Sequence, residues 1–202
     1  MNISQRKNIM NTKEKILQES LSLFAEKGYD GTSMEAIADK VGIKAPSLYK
    51  HFKGKEEILN QLIAMAERRY EENFGSKLNV GKIPESHRQF IEENMERVAF
   101  TMRDEMIRKI RVFLVKEQFR NKRLAKITSM HQIEGPQKMY EKIIAAMITK
   151  KLFRKADPAL MALQLIAPVS LFIAKADREE ESQEECLKAV RKHLKHFCET
   201  YR

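Results

Sequence analysis

Tryptophan is absent from these 202 residues, cysteine occurs twice, and only seven glycines and five prolines interrupt the chain. Two cysteines cannot build a disulfide framework and no Cys/His group has zinc-finger spacing, which excludes a disulfide-stapled scaffold and a zinc domain; a reducing cytoplasm is expected. Aromatic residues make up only 7%, and Leu, Ile, Lys, Glu and Met dominate, so helix is favoured and a mostly β architecture is excluded. Long apolar runs are also scarce. The most apolar, Ala159 to Ala174, reads as too short to span a bilayer and carries Pro168, and the opening MNISQRKNIMNTKEK has no signal-peptide core, so neither secretion nor membrane spanning is expected. Catalytic signatures are missing: no nucleophile–base–oxyanion motif, phosphate-cradling glycine loop or dinucleotide fingerprint occurs, and neither an enzymatic role nor a cofactor is expected.

What the chain does have is positive charge. Lys+Arg number 38 against Asp+Glu 28, a net charge of +10, while 43% hydrophobic residues suffice for a packed core. The excess implies a polyanionic partner, with DNA, RNA and anionic lipid all open on charge alone.

Hydrophobic spacing then divides the chain into helices. Ile16, Leu17, Leu21, Phe24 and Ala25 share one face, with Asn11 and Glu14 as a capping box and Gly28 as the terminating glycine. After Tyr29-Asp30-Gly31, the run Thr32-Ser33-Met34-Glu35 reads as a second capping box, opening a short helix whose Met34, Ile37, Ala38 and Val41 point inward and which Gly42 stops. Pro46 stands in the first turn of a third short helix with Leu48 and Phe52 buried, completing a helix-turn-helix. A fourth helix runs from Lys55 to about Phe74, and Gly75 to Pro84 breaks the periodicity as a linker. Further helices are expected at about 85 to 103, 104 to 131, 136 to 151, 158 to 177 and 183 to 200, with breaks at Asp104, Gly135-Pro136, Asp157-Pro158 and Glu179 to Glu181. The fold expected is all-α, of about nine helices. It comprises a helix-turn-helix domain over 1–55, a connecting helix over 55–75 and a larger helical domain over 76–202 for effector binding and dimerisation.

Between Gly42 and Lys55 stand Lys44, Lys50, Lys53, Lys55 and His51 with no acidic residue, on and beside a short helix of the size that docks in a DNA major groove. A solvated lysine face would look the same. The segment TKEKILQESLSLFAEKGYDGTSMEAIADKVGIKAPSLYKHFKGKEEIL decides for DNA, because it closely resembles the DNA-binding domain of the tetracycline-repressor (TetR) family of bacterial transcriptional regulators. The resemblance is carried by Ile16, Phe24, Gly28, Tyr29, Thr32, Ile37, Ala38, Gly42, Leu48, Tyr49, His51, Phe52 and Lys55, within the first quarter of the chain. It implies that Tyr49, His51 and Lys55 contact phosphate, with Thr32 or Ser33 adding donors from the start of the second helix. Base reading falls to Ala45, Pro46, Ser47 and Lys50, of which Lys50 suits guanine and Ala45 and Pro46 a thymine methyl. Lys44 departs from the Ser or Thr of many relatives: either the third helix starts one residue later, or DNA phosphate neutralises Lys44. Tyr49 as a core tyrosine remains an alternative.

The rest of the chain matches the family only in length, helical pattern and the LFRKADP turn. The resemblance implies a largely apolar effector pocket there, and Phe90, Met102, Met106, Phe113, Met130, Met139 and Phe172 are its candidates against plain core filling. Arg103, Arg108, Arg111, Arg120 and Arg123 make the surroundings basic, as a solvated face or an attraction for an acidic effector. A homodimer is expected through Met161, Leu165, Leu187, Val190, Leu194 and Phe197 on the last two helices, presenting two recognition helices to a pseudo-palindromic operator. His193, His196 and Cys198 lack a third convergent ligand, so no metal site is assigned. The function implied is a repressor released by a small molecule. A ligand-independent relative controlled by a protein partner, or an enzyme or carrier with an incidental basic helix, stay open at this point.

Overall fold

The computed structural model describes residues 11–74 and 83–202, and every described regular element is helical. The chain divides into two compact units, one up to Glu67 and one from Arg68, with the division inside a continuous helix. The expected linker, Gly75 to Pro84, and the expected boundary at 75/76 lie outside the described residues apart from Ile83 and Pro84.

In the first unit α1 (Thr12–Lys27) opens on the capping box, Asn11 accepting from the Lys13 N–H and Glu14 from the Asn11 N–H, and ends at Gly28. Helix α2 (Met34–Val41) starts one residue later than the capping-box reading placed it. Ser33, not Thr32, is its N-cap, accepting from the Ala36 N–H at 3.1 Å, while Thr32 turns into the core and donates its hydroxyl to the Gly28 and Leu23 carbonyls. Gly42 ends α2 at φ 80°, ψ 33°, a left-handed conformation that glycine adopts without a Cβ clash. Gly31 is fixed by proximity instead: a Cβ there would lie 2.4 Å from the Lys27 carbonyl oxygen. Helix α3 (Ala45–Tyr49) follows, and α4 (Lys55–Phe74) closes the unit. Ile16, Phe24, Ile37, Leu48, Phe52, Ile58, Leu59 and Leu62 are each at most 2% exposed, and each such side chain contributes about 1.5–3 kcal/mol of burial.

The second unit holds the end of α4, then α5 (His87–Arg103), α6 (Glu105–Glu117), α7 (Lys122–Ser129), α8 (Gly135–Thr149), α9 (Pro158–Arg178) and α10 (Gln183–Thr200). Helices α5, α8, α9 and α10 enclose its main core around Phe90, Ile144, Met147, Leu165 and Val190. Three sequence expectations are corrected here. The single helix over 104–131 is two, because the chain turns at 118–121 and Asn121 caps a fresh start, accepting from the Arg123 and Leu124 N–H groups. The break at Gly135-Pro136 is not a break: a π-helical turn, Met130–Glu134, carries the helical path from α7 into α8. Pro136 cannot donate to the ladder, and the wider turn lets the Gly135 N–H reach the Met130 carbonyl, close to where a Cβ on residue 135 would sit, 2.9 Å from that oxygen. Third, the apolar run at 159–174 belongs to a helix of 21 residues that passes through Pro168 and is, by length and composition, long and apolar enough to cross a membrane. One of its faces, Met161, Ala162, Leu165 and Ile166, lies in the core.

Candidate functional site

Helix α3 is short and its start is settled. Lys44 is its N-cap, with extended backbone and no side-chain cap, and its carbonyl accepts from the Ser47 and Leu48 N–H groups at 2.8 and 3.3 Å. The helix therefore does not begin a residue later. Only Leu48 of α3 is buried; Pro46, Tyr49 and Lys50 are exposed, as are Lys44, His51 and Lys53 beside it, with Ala45 and Ser47 half-buried. Tyr49, 49% exposed, is not a core tyrosine. No ion pair to Lys44, Lys50 or Lys53 occurs among the described residues, so this face presents uncompensated cations, hydroxyls and a small apolar surface. That combination suits a polyanion whose edges are also read.

Two expected contacts have other work. The Lys55 ammonium donates to the Tyr29 carbonyl at 2.7 Å and the Thr32 carbonyl at 3.2 Å, lies 3.5 Å from that of Asp30, and sits 4.6 Å from the Tyr29 ring centroid. Its donors are spent tying the start of α4 to the α1–α2 turn, which makes Lys55 a positioning residue rather than an open phosphate ligand. The Thr32 hydroxyl is likewise committed inside, leaving Ser33 exposed at the start of α2. Lys15 plays a matching part that the sequence did not reveal: its ammonium caps α2 by donating to the Val41 carbonyl at 2.8 Å.

In the second unit the candidate effector residues separate. Phe90 and Met102 are buried in the main core with Met139 and Phe172 packed against it, whereas Met106 and Phe113 lie outside that cluster and Met130 is 55% exposed. The residues expected at a dimer interface are also corrected. Met161, Leu165, Leu187, Val190, Leu194 and Phe197 are 0–7% exposed within the chain's own core, so they are not available to a partner. What α9 does expose is its other face: Leu160, Leu163 and Leu171 are 51, 43 and 64% exposed, with Ala167 exposed between them. The 3-4-4 spacing of these residues was visible in the sequence, but a helix that is apolar all round does not say which stripe its own core claims. Of the basic residues around α6, Arg103 pairs with Glu184, Arg108 with Glu180 and Arg111 with Asp177, so they are not a simple solvated face. His193 is hydrogen-bonded at Nε2 to the Leu165 carbonyl, and Cys186 and Cys198 are free and buried.

Residues 16–62 match the family model described as bacterial regulatory proteins, tetR family. A stretch of 51 residues is 49% identical to IcaR of Staphylococcus aureus (strain Newman), a biofilm operon icaADBC HTH-type negative transcriptional regulator; it covers 25% of this chain and 27% of that protein. The chain thus matches only about a quarter of the length of these curated relatives. Among solved structures, SmeT in complex with triclosan superimposes with a TM-score of 0.76 at 20% identity, over 94% of this chain and 91% of that one. A second structure of SmeT, the repressor of the Stenotrophomonas maltophilia multidrug efflux pump SmeDEF, gives a TM-score of 0.71 at 19% identity, over 95% and 90%. At that identity the likeness is one of fold, and it extends nearly from end to end.

Proposed function

We propose, from the match of residues 16–62 to the tetR family model of bacterial regulatory proteins, that this chain is a cytoplasmic DNA-binding transcriptional repressor, working as a homodimer and released by a small, largely apolar effector. The observation that carries the reading is the exposed face of α3, where Pro46, Tyr49 and Lys50 stand clear beside Lys44, His51 and Lys53 with no acidic residue from Gly42 to Lys55. Tyr49 and His51 then serve phosphates, Lys50, Ser47, Pro46 and Ala45 serve base edges, and Lys55 acts by holding the helix-turn-helix in shape. IcaR is a negative regulator and SmeT a repressor, which supports repression here and favours no enzymatic role. That SmeT was solved with triclosan supports an apolar effector for the same fold.

The dimer is proposed through the exposed face of α9, Leu160, Leu163, Ala167 and Leu171, because an apolar stripe of that length is stable when a second copy covers it. Two copies would present two α3 helices to half-sites about one DNA turn, roughly 34–36 Å, apart. Helix α4 runs uninterrupted from Lys55 to Phe74 and supplies residues to both units, which is what a lever needs. The test is duplex binding of selected sequences across salt concentrations: a linear fall of log affinity with log salt is expected, and a flat response overturns the reading. Leu163→Glu is expected to give a folded monomer in sedimentation, with weakened duplex binding; a dimer unaffected by it overturns the assigned face.

A further inference from the structure

The second unit buries a polar cluster among apolar rings. Asn94 on α5, 5% exposed, donates from Nδ2 to the Phe90 carbonyl at 2.6 Å, and its Oδ1 accepts the Tyr140 hydroxyl from α8. Tyr70, near the end of α4, lies beside the Thr101 side chain and the Arg97 guanidinium. Burial pushes both phenols up from their ordinary value, strongly for Tyr140, so both stay neutral at physiological pH. The Arg97 guanidinium also lies 5.1 Å from the Phe74 ring centroid, and Phe74 in turn packs on Tyr70 and Phe100 at 5.0 and 5.2 Å.

Charge decides what this cluster lacks. Arg97 is half-buried, and no carboxylate lies within ion-pair distance of it among the described residues. Of the acids on and beside α5, Glu96 is adjacent in sequence but exposed, and neighbours one apart do not face each other on a helix; Glu92 accepts both Arg191 guanidinium nitrogens at 2.6 and 2.9 Å, Asp104 takes Arg69, and Glu93 takes the Gln89 amide. A cation held against aromatic faces, with phenols and an amide beside it and no counter-charge, is costly to desolvate alone and is completed by an anion.

We infer that Arg97, Tyr70, Tyr140 and Asn94 form the polar end of a binding site for a small organic acid with an apolar body, the acid group on the guanidinium and the body against Phe74 and Phe100. The site deepens the effector reading of the second unit and rests on it. It adds what that reading left open, the chemical class of the effector: a carboxylate or similarly acidic oxygen, rather than an amine or a wholly neutral molecule. The aromatic faces supply contact area, and the guanidinium supplies the selectivity between an acid and its neutral counterpart.

The probes are octanoate and 2-naphthoate, each against its own primary amide, titrated calorimetrically into the full chain. At least one acid is expected to bind about tenfold more tightly than its amide, the worth of one charge-assisted hydrogen bond. Arg97→Met is expected to bring that ratio to near one, and Arg97→Lys to keep part of it. Equal binding of acid and amide by the parent protein overturns the site, as does a ratio that survives in folded Arg97→Met. If Arg97→Met does not fold, Tyr70→Phe replaces it: a reduced ratio supports the site and an unchanged one overturns it. Duplex binding is measured on the same protein without probe. A protein that binds duplex and ignores both acids overturns this site alone, and one that binds an acid but no duplex overturns the regulator reading alone.

Discussion

The two units of the chain spend their positive charge differently. In the first, Lys44, Lys50 and Lys53 stand exposed without an ion-pair partner, the ammonium groups of Lys15 and Lys55 donate to backbone carbonyls rather than to carboxylates, and that of Lys13 lies over the Phe52 ring. In the second, several arginines are matched with acids: Arg111 holds Asp177 through two bonds of 2.7 Å, Arg69 holds Asp104, and Arg191 holds Glu92, with Arg97 an exception. A single figure, the net charge of +10, therefore describes two arrangements. Where charge is neutralised within the fold it fixes helices to one another; where it is left open it is available to a polyanion. Composition reports the sum, and only the pairing tells which cations remain for a partner.

The sharpest way to break this contrast is to remove the open charges. Replacing Lys44, Lys50 and Lys53 together by glutamine is expected to lower duplex affinity about a hundred- to a thousandfold at moderate salt and to flatten the salt dependence, with urea stability unchanged. A large loss of stability would mean that these lysines are structural after all. In the second unit the opposite is expected. Both side chains of the Arg111–Asp177 pair are only 12% exposed, and Asp177→Asn leaves a buried guanidinium uncompensated, at a cost of about 3 kcal/mol in urea unfolding. Arg111→Met combined with Asp177→Leu should recover only part of it, since Arg108, 3.7 Å from Asp177, and the Thr101 carbonyl, which Arg111 holds at 2.8 Å, each lose a partner.

Lys55 lies between the two patterns and tests the distinction most directly. Lys55→Met removes its carbonyl bonds and its contact with Tyr29, and about 2 kcal/mol of stability should go with them. Weaker duplex binding with unchanged stability would instead make Lys55 a phosphate ligand. The smallest effect concerns pH. Burial, with the Glu199 charge adding to it, pushes the Cys198 thiol up to about 12. Between the ordinary thiol pKa of about 8.5 and that value, the unfolded chain has lost a proton that the native chain keeps. The contribution is therefore complete below the ordinary value and lost as pH rises through the window, by at most about 1.4 kcal/mol per pH unit. Cys198→Ala should lose less stability than the parent between about pH 8 and pH 10; an equal loss would show that other groups carry the dependence.

Much of this was legible in the chain itself. The capping box at Asn11 and Glu14, Gly28, Gly42, Pro46 and the spacing of Ile16, Phe24, Ile37, Leu48 and Phe52 are local signals, each acting within a turn or two, and together they specified the helix-turn-helix and its exposed lysines. Asn121 was a cap signal of the same kind, masked by the apolar periodicity on both sides of it. The proline at 136 misled for a different reason: its missing N–H forbids an ordinary turn but not a wider one, and packing chose between a break and a π turn. Tertiary structure alone decided three further matters. It turned the Thr32 hydroxyl to the carbonyls at the end of α1 and the Lys55 ammonium to those of the α1–α2 turn more than twenty residues away. It gave one apolar face of α9 to the core and left Leu160, Leu163 and Leu171 outside. It also brought Tyr70, Asn94, Arg97 and Tyr140 together from three helices. Local sequence fixes which residues share a helix face, since the helical period is constant; which face meets which, and which charge meets its opposite, depends on partners far away in the chain.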